Sequence, residues 1–95
     1  MKRPLTVRKF QEVIRDAYFE RDRRRGIFKT WLWLQEEIGE LAKAIRKEDK
    51  ENIEEEIADV IAWTVSIANL LDIDVEEALI KKYGNPPRKH FDEED

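Results

Sequence analysis

Four acidic side chains stand in two matching pairs, Glu37 with Glu40 and Glu56 with Asp59, each pair three residues apart. On a helix that spacing projects both carboxylates from adjacent turns of roughly one face. Two such pairs on facing helices surround a hard cation with several oxygens, the donor set that suits Mg²⁺ and that Mn²⁺ also accepts. The rest of the composition narrows the choice of metal. There is no cysteine, which removes thiolate sites and disulfides, and the single histidine, His90, makes zinc a poor candidate. Spacing alone does not single these residues out. Acidic pairs with the same separation recur at 48/51, 51/54, 74/77 and 92/95, where solvated surface acids are a sufficient account.

Helical phase discriminates better than spacing. With Val60 as zero and about 100° per residue, Ile53, Ile57, Ile61, Trp63, Ile67, Leu70 and Leu71 fall in one broad apolar arc. Glu56 lies inside that arc at roughly −40°, and Asp59 on its edge at roughly −100°. A carboxylate among apolar neighbours costs several kcal/mol unless a cation or hydrogen bonds compensate it. No basic residue lies between Glu51 and Leu71 to do so. On the preceding segment, with Ile38 as zero, Glu37 lies near roughly −100° and Glu40 near roughly −160°. Trp33 and Ala44 share the flank of Glu37 and Glu40. This segment therefore has a second, semi-apolar face that carries carboxylates, as expected if it meets another helix or another subunit.

The elements that position these residues are amphipathic helices. Apolar residues at 7, 10, 13, 14, 17 and 18 give a first helix that starts near Pro4 and Thr6 and stops near Gly26. Thr30 is placed to cap a second helix over 31–46, with Leu34, Ile38, Leu41 and Ile45 as its stripe. The polar run 47–50 connects it to a third helix over about 50–71. Asp74 caps a short fourth helix from Val75 to Tyr83, which Gly84, Pro86 and Pro87 terminate. No segment has strand periodicity. The expected fold is all-α, a small antiparallel bundle of about four helices in one domain over residues 1–95, with 88–95 a flexible tail. A chain of this length builds a small core, and pairing with a copy of itself buries more.

Charge is unevenly spread. The net charge is −4, but residues 1–30 carry +6 and residues 31–95 carry −10. The basic run Arg21 to Arg25, with Lys29, offers phosphate contacts, or is a solvated connector. Nucleic acid is not favoured as a partner, since the chain is net acidic and carries no DNA-binding motif. No apolar run approaches a membrane span and no signal peptide is visible, so the expected location is the cytoplasm. Gln11 reaches a base edge only if the first helix borders the pocket, and otherwise sits on the surface.

These residues stand in a recognisable frame. Glu36, Glu37, Ile38, Gly39 and Glu40, then fifteen residues, then Glu56, Ile57, Ala58 and Asp59 follow an E-E-x-x-E, spacer, E-x-x-D pattern. With Leu41 and the apolar run after Asp59, the chain from about residue 7 to 83 resembles the MazG-like nucleoside triphosphate pyrophosphohydrolases of the all-α NTP pyrophosphatase superfamily. The resemblance implies a helical homodimer or pair of dimers, and Mg²⁺ held by Glu37, Glu40, Glu56 and Asp59. It also implies hydrolysis of a nucleoside triphosphate, standard or non-standard, to monophosphate and pyrophosphate. Glu36 is a lesser candidate, for a second metal or for positioning water. Trp63, one turn beyond Asp59, either stacks on the nucleotide or fills core. Arg21, Arg25 and Lys82 are further candidates for substrate contact. A competing reading keeps the same metal ligands in a nucleotide-sensing module that does not turn its ligand over.

Overall fold

The computed structural model describes residues 4–88 and contains four helices, α1 (Val7–Arg25), α2 (Ile27–Arg46), α3 (Lys50–Leu70) and α4 (Val75–Tyr83). The expected all-α class and the four-helix count hold. The tail expected over 88–95, with His90, falls outside the described residues except for Arg88. No helix among the described residues is long and apolar enough to cross a membrane.

Local chemistry sets most of the helix ends. The Thr6 hydroxyl accepts from the Lys9 amide, Asp49 from Asn52 and Asp74 from Glu77, so side-chain oxygens cap α1, α3 and α4. The start of α2 differs from expectation. Thr30 is not a cap but lies inside the helix, fully buried, with its hydroxyl donating to the Gly26 carbonyl at 2.8 Å. The reason is Gly26, at φ 91° and ψ 160°, a backbone state reserved for glycine. It turns the chain within one residue, so α2 begins immediately after it.

That single-residue joint decides the architecture. Gln11 pairs with Asn69, while Arg25 reaches Trp63, so α1 runs antiparallel to α3. Trp33 meets Trp63 and Glu37 lies beside Glu56 and Asp59, so α2 is antiparallel to α3 as well. Helices α1 and α2 therefore follow one another along α3, bent at Gly26. Both pack chiefly on α3 and touch each other little.

The core is small: Ile14, Leu34, Ala44, Val65 and Ala68 are the buried apolar residues. On α2 the face turned inward carries Thr30, Leu34, Glu37, Leu41 and Ala44. The expected stripe is thus corrected by part of a turn: Leu34 and Leu41 belong to it, but Ile38 and Ile45 are exposed. The second, carboxylate-bearing face is the one that meets α3. On α3 the arc divides, because Trp63 and Ile67 turn inward while Ile57 and Ile61 remain exposed.

Helix α4 is tied to α1. Gln11 donates through Nε2 to the Asn69 side chain and the Ile73 carbonyl, at 2.9 and 2.7 Å, and its Oε1 accepts from the Val75 amide. Its amide does not lie free on the surface; it pins the α3–α4 turn. Arg8 adds ion pairs to Asp74, Glu76 and Glu77. These pairs are exposed and contribute little individually.

Candidate functional site

The middle of α3 is where the bend at Gly26 brings α1 and α2 together, and the chemistry collects there. Carboxylate oxygens of Glu37 from α2 and of Glu56 and Asp59 from α3 all lie within 4.8 Å of one another. The packing of Leu34 and Ala44 against α3 fixes the phase of α2 and thereby turns Glu37 inward. Glu40, the fourth member of the expected set, is exposed and outside this cluster. Its charge nevertheless acts on both Glu37 and Glu56. Glu36 is exposed beside them and acts on Glu37.

The electrostatics are those of a site short of positive charge. Burial is the main cause that raises the Glu37 carboxyl above its ordinary range. Asp59, Glu40 and Glu36 push it further, and a hydrogen bond from Glu56 offsets part of this. Burial also leads in raising Glu56, followed by Glu37, Asp59, Glu40 and Glu55. Glu56 Oε1 is sealed from solvent and has no hydrogen-bond partner among the described residues. Such an atom carries a full desolvation cost with nothing returned. A divalent cation among the three carboxylates would supply what is missing: it would partner the orphaned oxygen and turn like-charge repulsion into attraction. The donors are all oxygen, from two rigid helices, and fit a hard cation of the Mg²⁺ or Mn²⁺ kind.

Next to the acids lies an aromatic and cationic cluster. Trp63 meets Trp33 edge to face, with ring centroids 5.6 Å apart. The Arg25 guanidinium stands 4.3 Å from the Trp33 centroid and 5.0 Å from that of Trp63. It also donates to Asp22 at 2.9 Å and to the Thr30 hydroxyl at 3.3 Å. Both members of the Asp22–Arg25 pair are buried, their side chains only 5% and 8% exposed.

A cleft of about 210 Å³ opens between α1 and α3 beside Asp59. Tyr18, Arg21, Asp22 and Arg25 line it from α1, and Asp59, Trp63 and Ser66 from α3. Trp63, Arg21 and Arg25 are thus brought together with an acid of the cluster, as a substrate site needs. Lys82 is not. It is exposed on α4, its ammonium over the Tyr83 ring, and lines neither cleft nor cluster. The basic run itself divides. Arg21 covers the Tyr18 ring, Arg23 pairs with Glu20, Arg24 turns back to the Glu20 carbonyl, and Arg25 is buried.

Two cleft residues, Asp22 and Ser66, do not stand out in the sequence. Asp22 sits in an Arg-rich run that reads as solvated. The only signal is its i,i+3 relation to Arg25, which is common on surface helices.

A family model, the MazG nucleotide pyrophosphohydrolase domain, matches residues 27–89. The match contains Glu36, Glu37, Glu40, Glu56, Asp59 and Trp63, whereas α1 lies outside it. The chain is also similar to an uncharacterized protein, YpjD, of Bacillus subtilis (strain 168). The two are 36% identical over 85 residues, spanning 70% of this chain and 77% of that one.

Proposed function

The chain belongs to the MazG nucleotide pyrophosphohydrolase family, and from that premise we propose that it hydrolyses nucleoside triphosphates to nucleoside monophosphate and pyrophosphate with Mg²⁺, or Mn²⁺, as the metal. The observation that carries this reading is the buried, unpartnered Oε1 of Glu56, set between the carboxylates of Glu37 and Asp59. An acidic cluster by itself repels a triphosphate; an acidic cluster that demands a cation recruits one. When bound, the metal supplies neutralisation of the phosphate oxygens and Lewis acidity at the α-phosphorus.

The chain's own residues do the rest. Glu37, Glu56 and Asp59 hold the cation, and Glu40, one turn beyond Glu37 on α2, completes the set from the rim. Glu36, exposed next to Glu37, accepts a proton from or orients the attacking water. Trp63 and Tyr18 provide aromatic walls for the nucleoside. Arg21 is exposed at the mouth of the cleft and free to swing from the Tyr18 ring onto phosphate oxygens. Arg25, held by Asp22, Thr30 and two indoles, fixes the position of Trp63 rather than reaching out. The working form is a homodimer, which covers the apolar residues that one chain leaves exposed.

The test is a panel of NTPs and dNTPs with Mg²⁺, scored for both products. Monophosphate and pyrophosphate in equal amounts are expected. Orthophosphate with a diphosphate would move the cleavage away from the α-phosphorus, and intact substrates with folded protein would favour a nucleotide sensor.

A further inference from the structure

The α1 side of the cleft lies outside the residues that the family model matches. The wall contains a carboxylate where a nucleoside site has no electrostatic need of one. Asp22 is 4% exposed, and its Oδ1 accepts from Arg25 at 2.9 Å. Its Oδ2 takes no hydrogen bond among the described residues, yet is not sealed away as Glu56 Oε1 is. Ser66, 5% exposed, lines the same cleft from α3, and its hydroxyl is engaged by no described residue. An aromatic slot between Tyr18 and Trp63 thus contains one buried acceptor and one buried hydroxyl, each with unused capacity.

We propose that this cleft receives the nucleobase, and that Asp22 and Ser66 select bases whose edge sets an amino group beside a ring-nitrogen acceptor, cytosine and adenine, over uracil. The inference takes its ligand class from the pyrophosphohydrolase reading. The cytosine N4 amine beside N3, and the adenine N6 amine beside N1, present a donor next to an acceptor. The amine donates to Asp22 Oδ2, and the ring nitrogen accepts from the Ser66 hydroxyl. Uracil reverses the pattern: its O4 carbonyl would face the carboxylate, and its N3–H the hydroxyl. A buried acceptor left facing another acceptor is penalised strongly, which makes polar sites more selective than apolar ones. Arg25 keeps the arrangement stable, because it neutralises Asp22 without consuming both oxygens. It also holds that carboxylate in one orientation, since it is itself stacked against Trp33 and Trp63.

Binding separates this inference from the reading on which it rests. The full chain is titrated calorimetrically, with Mg²⁺, against α,β-methylene analogues of CTP, ATP and UTP, whose α–β bridge cannot be hydrolysed. The cytosine and adenine analogues are expected to bind about tenfold or more tightly than the uracil analogue. Asp22→Asn keeps an acceptor for Arg25 but turns an amide donor to the base, and is expected to move the preference toward uracil. Ser66→Ala spares the ion pair and is expected to shrink the cytosine and adenine lead several-fold with uracil unchanged. Equal affinity for all three bases, or variants that weaken all three by one common factor, would overturn base selection. If equal binding accompanies release of pyrophosphate from natural substrates, the activity stands and the selectivity falls. If selective binding occurs without pyrophosphate release, the reverse is true.

Discussion

Glu56 concentrates the argument at the scale of the residue. Its carboxylate sits on an apolar arc by sequence and between two other acids in the folded chain, with one oxygen orphaned. Replacing it by Gln preserves shape and removes charge. Glu56→Gln is therefore expected to keep the fold, to raise the Tm of the metal-free protein, and to lower activity by at least about a hundredfold. Loss of even an outer-shell partner of a metal site costs ten- to a hundredfold. Thermal melts with and without Mg²⁺, together with a pyrophosphate-release assay, check both halves, and a variant still stabilised by Mg²⁺ as strongly as the parent would remove Glu56 from the site. The same residues set a pH dependence. Glu37 and Glu56 both hold protons in the folded chain more tightly than the ordinary 4.5. The folded state then binds more protons than the unfolded one, so metal-free stability falls as pH rises from about 4.5 through their raised values. Chemical denaturation across that window should show the decline without metal and a much flatter profile with Mg²⁺. A metal-free profile that rises with pH instead would mean that the three acids are not crowded as described.

The sequence exposes the elements unevenly, and the reasons are local. Caps are legible where a side-chain oxygen stands three residues from an amide, and so α1 and α4 start where Thr6 and Asp74 put them, while Asp49, read only as part of a polar connector, caps α3. The start of α2 is not, because Thr30 has a cap's chemistry but is recruited, four residues into the helix, to the Gly26 carbonyl and to Arg25. Periodicity places Glu56 and the second face of α2 correctly. It fails for Ile38, Ile45, Ile57 and Ile61, whose apolar character says that they are covered but not by what. The buried Asp22–Arg25 pair is hidden for a related reason: it looks like its solvated neighbours until α2 and α3 close over it. At this scale Gly26 is the most exacting position. A Cβ there would meet nothing within 4 Å, so the cost of Gly26→Ala is purely that of its φ of 91°. We expect a loss of about 1–3 kcal/mol in denaturant unfolding. The cleft should also suffer out of proportion to the stability change, because the joint sets where Arg25 and Trp33 meet Trp63. A variant as stable and as active as the parent would show that the bend is imposed by packing on α3 and not by the glycine.

At the scale of the whole molecule, one chain leaves broad apolar faces open. Phe28 is 82% exposed and Leu32 61%, with Trp31, Ile38 and Ile45 also open on α2. A separate apolar groove of about 540 Å³, lined by Leu5, Val7, Phe10, Ile61 and Leu79, runs between α1, α3 and α4. Scattered exposed apolar residues need no explanation, but contiguous faces of this kind mark interfaces. Trp31, Ile38 and Ile45 recur every seven residues, the spacing with which helices pair along a seam. Gly39 lies one heptad after Leu32, and a Cβ added there would meet no atom of the described residues within 4 Å beyond its own stretch of helix. A glycine inside a helix costs about 1 kcal/mol relative to alanine. Nothing within the subunit repays that cost, whereas close approach of a second helix would. We therefore expect sedimentation to give a particle of about twice 11.4 kDa, and Ile38→Glu with Ile45→Glu to reduce it to a folded monomer. Gly39→Ala is expected to weaken the association while making the separated helix more stable. The opposite pattern, unchanged association with a higher unfolding free energy, would place Gly39 on free surface. It would then fall to the groove between α1, α3 and α4 to supply the contact, which Ile61→Glu would break where the α2 substitutions had not. Either seam bears on the chemistry, because Glu37 and Glu40 flank Ile38 on α2 and Asp59 lies two residues before Ile61 on α3. Loss of the dimer should accordingly lower Mg²⁺ affinity along with mass, and a monomer that binds Mg²⁺ as tightly as the dimer would show that each chain holds its metal alone.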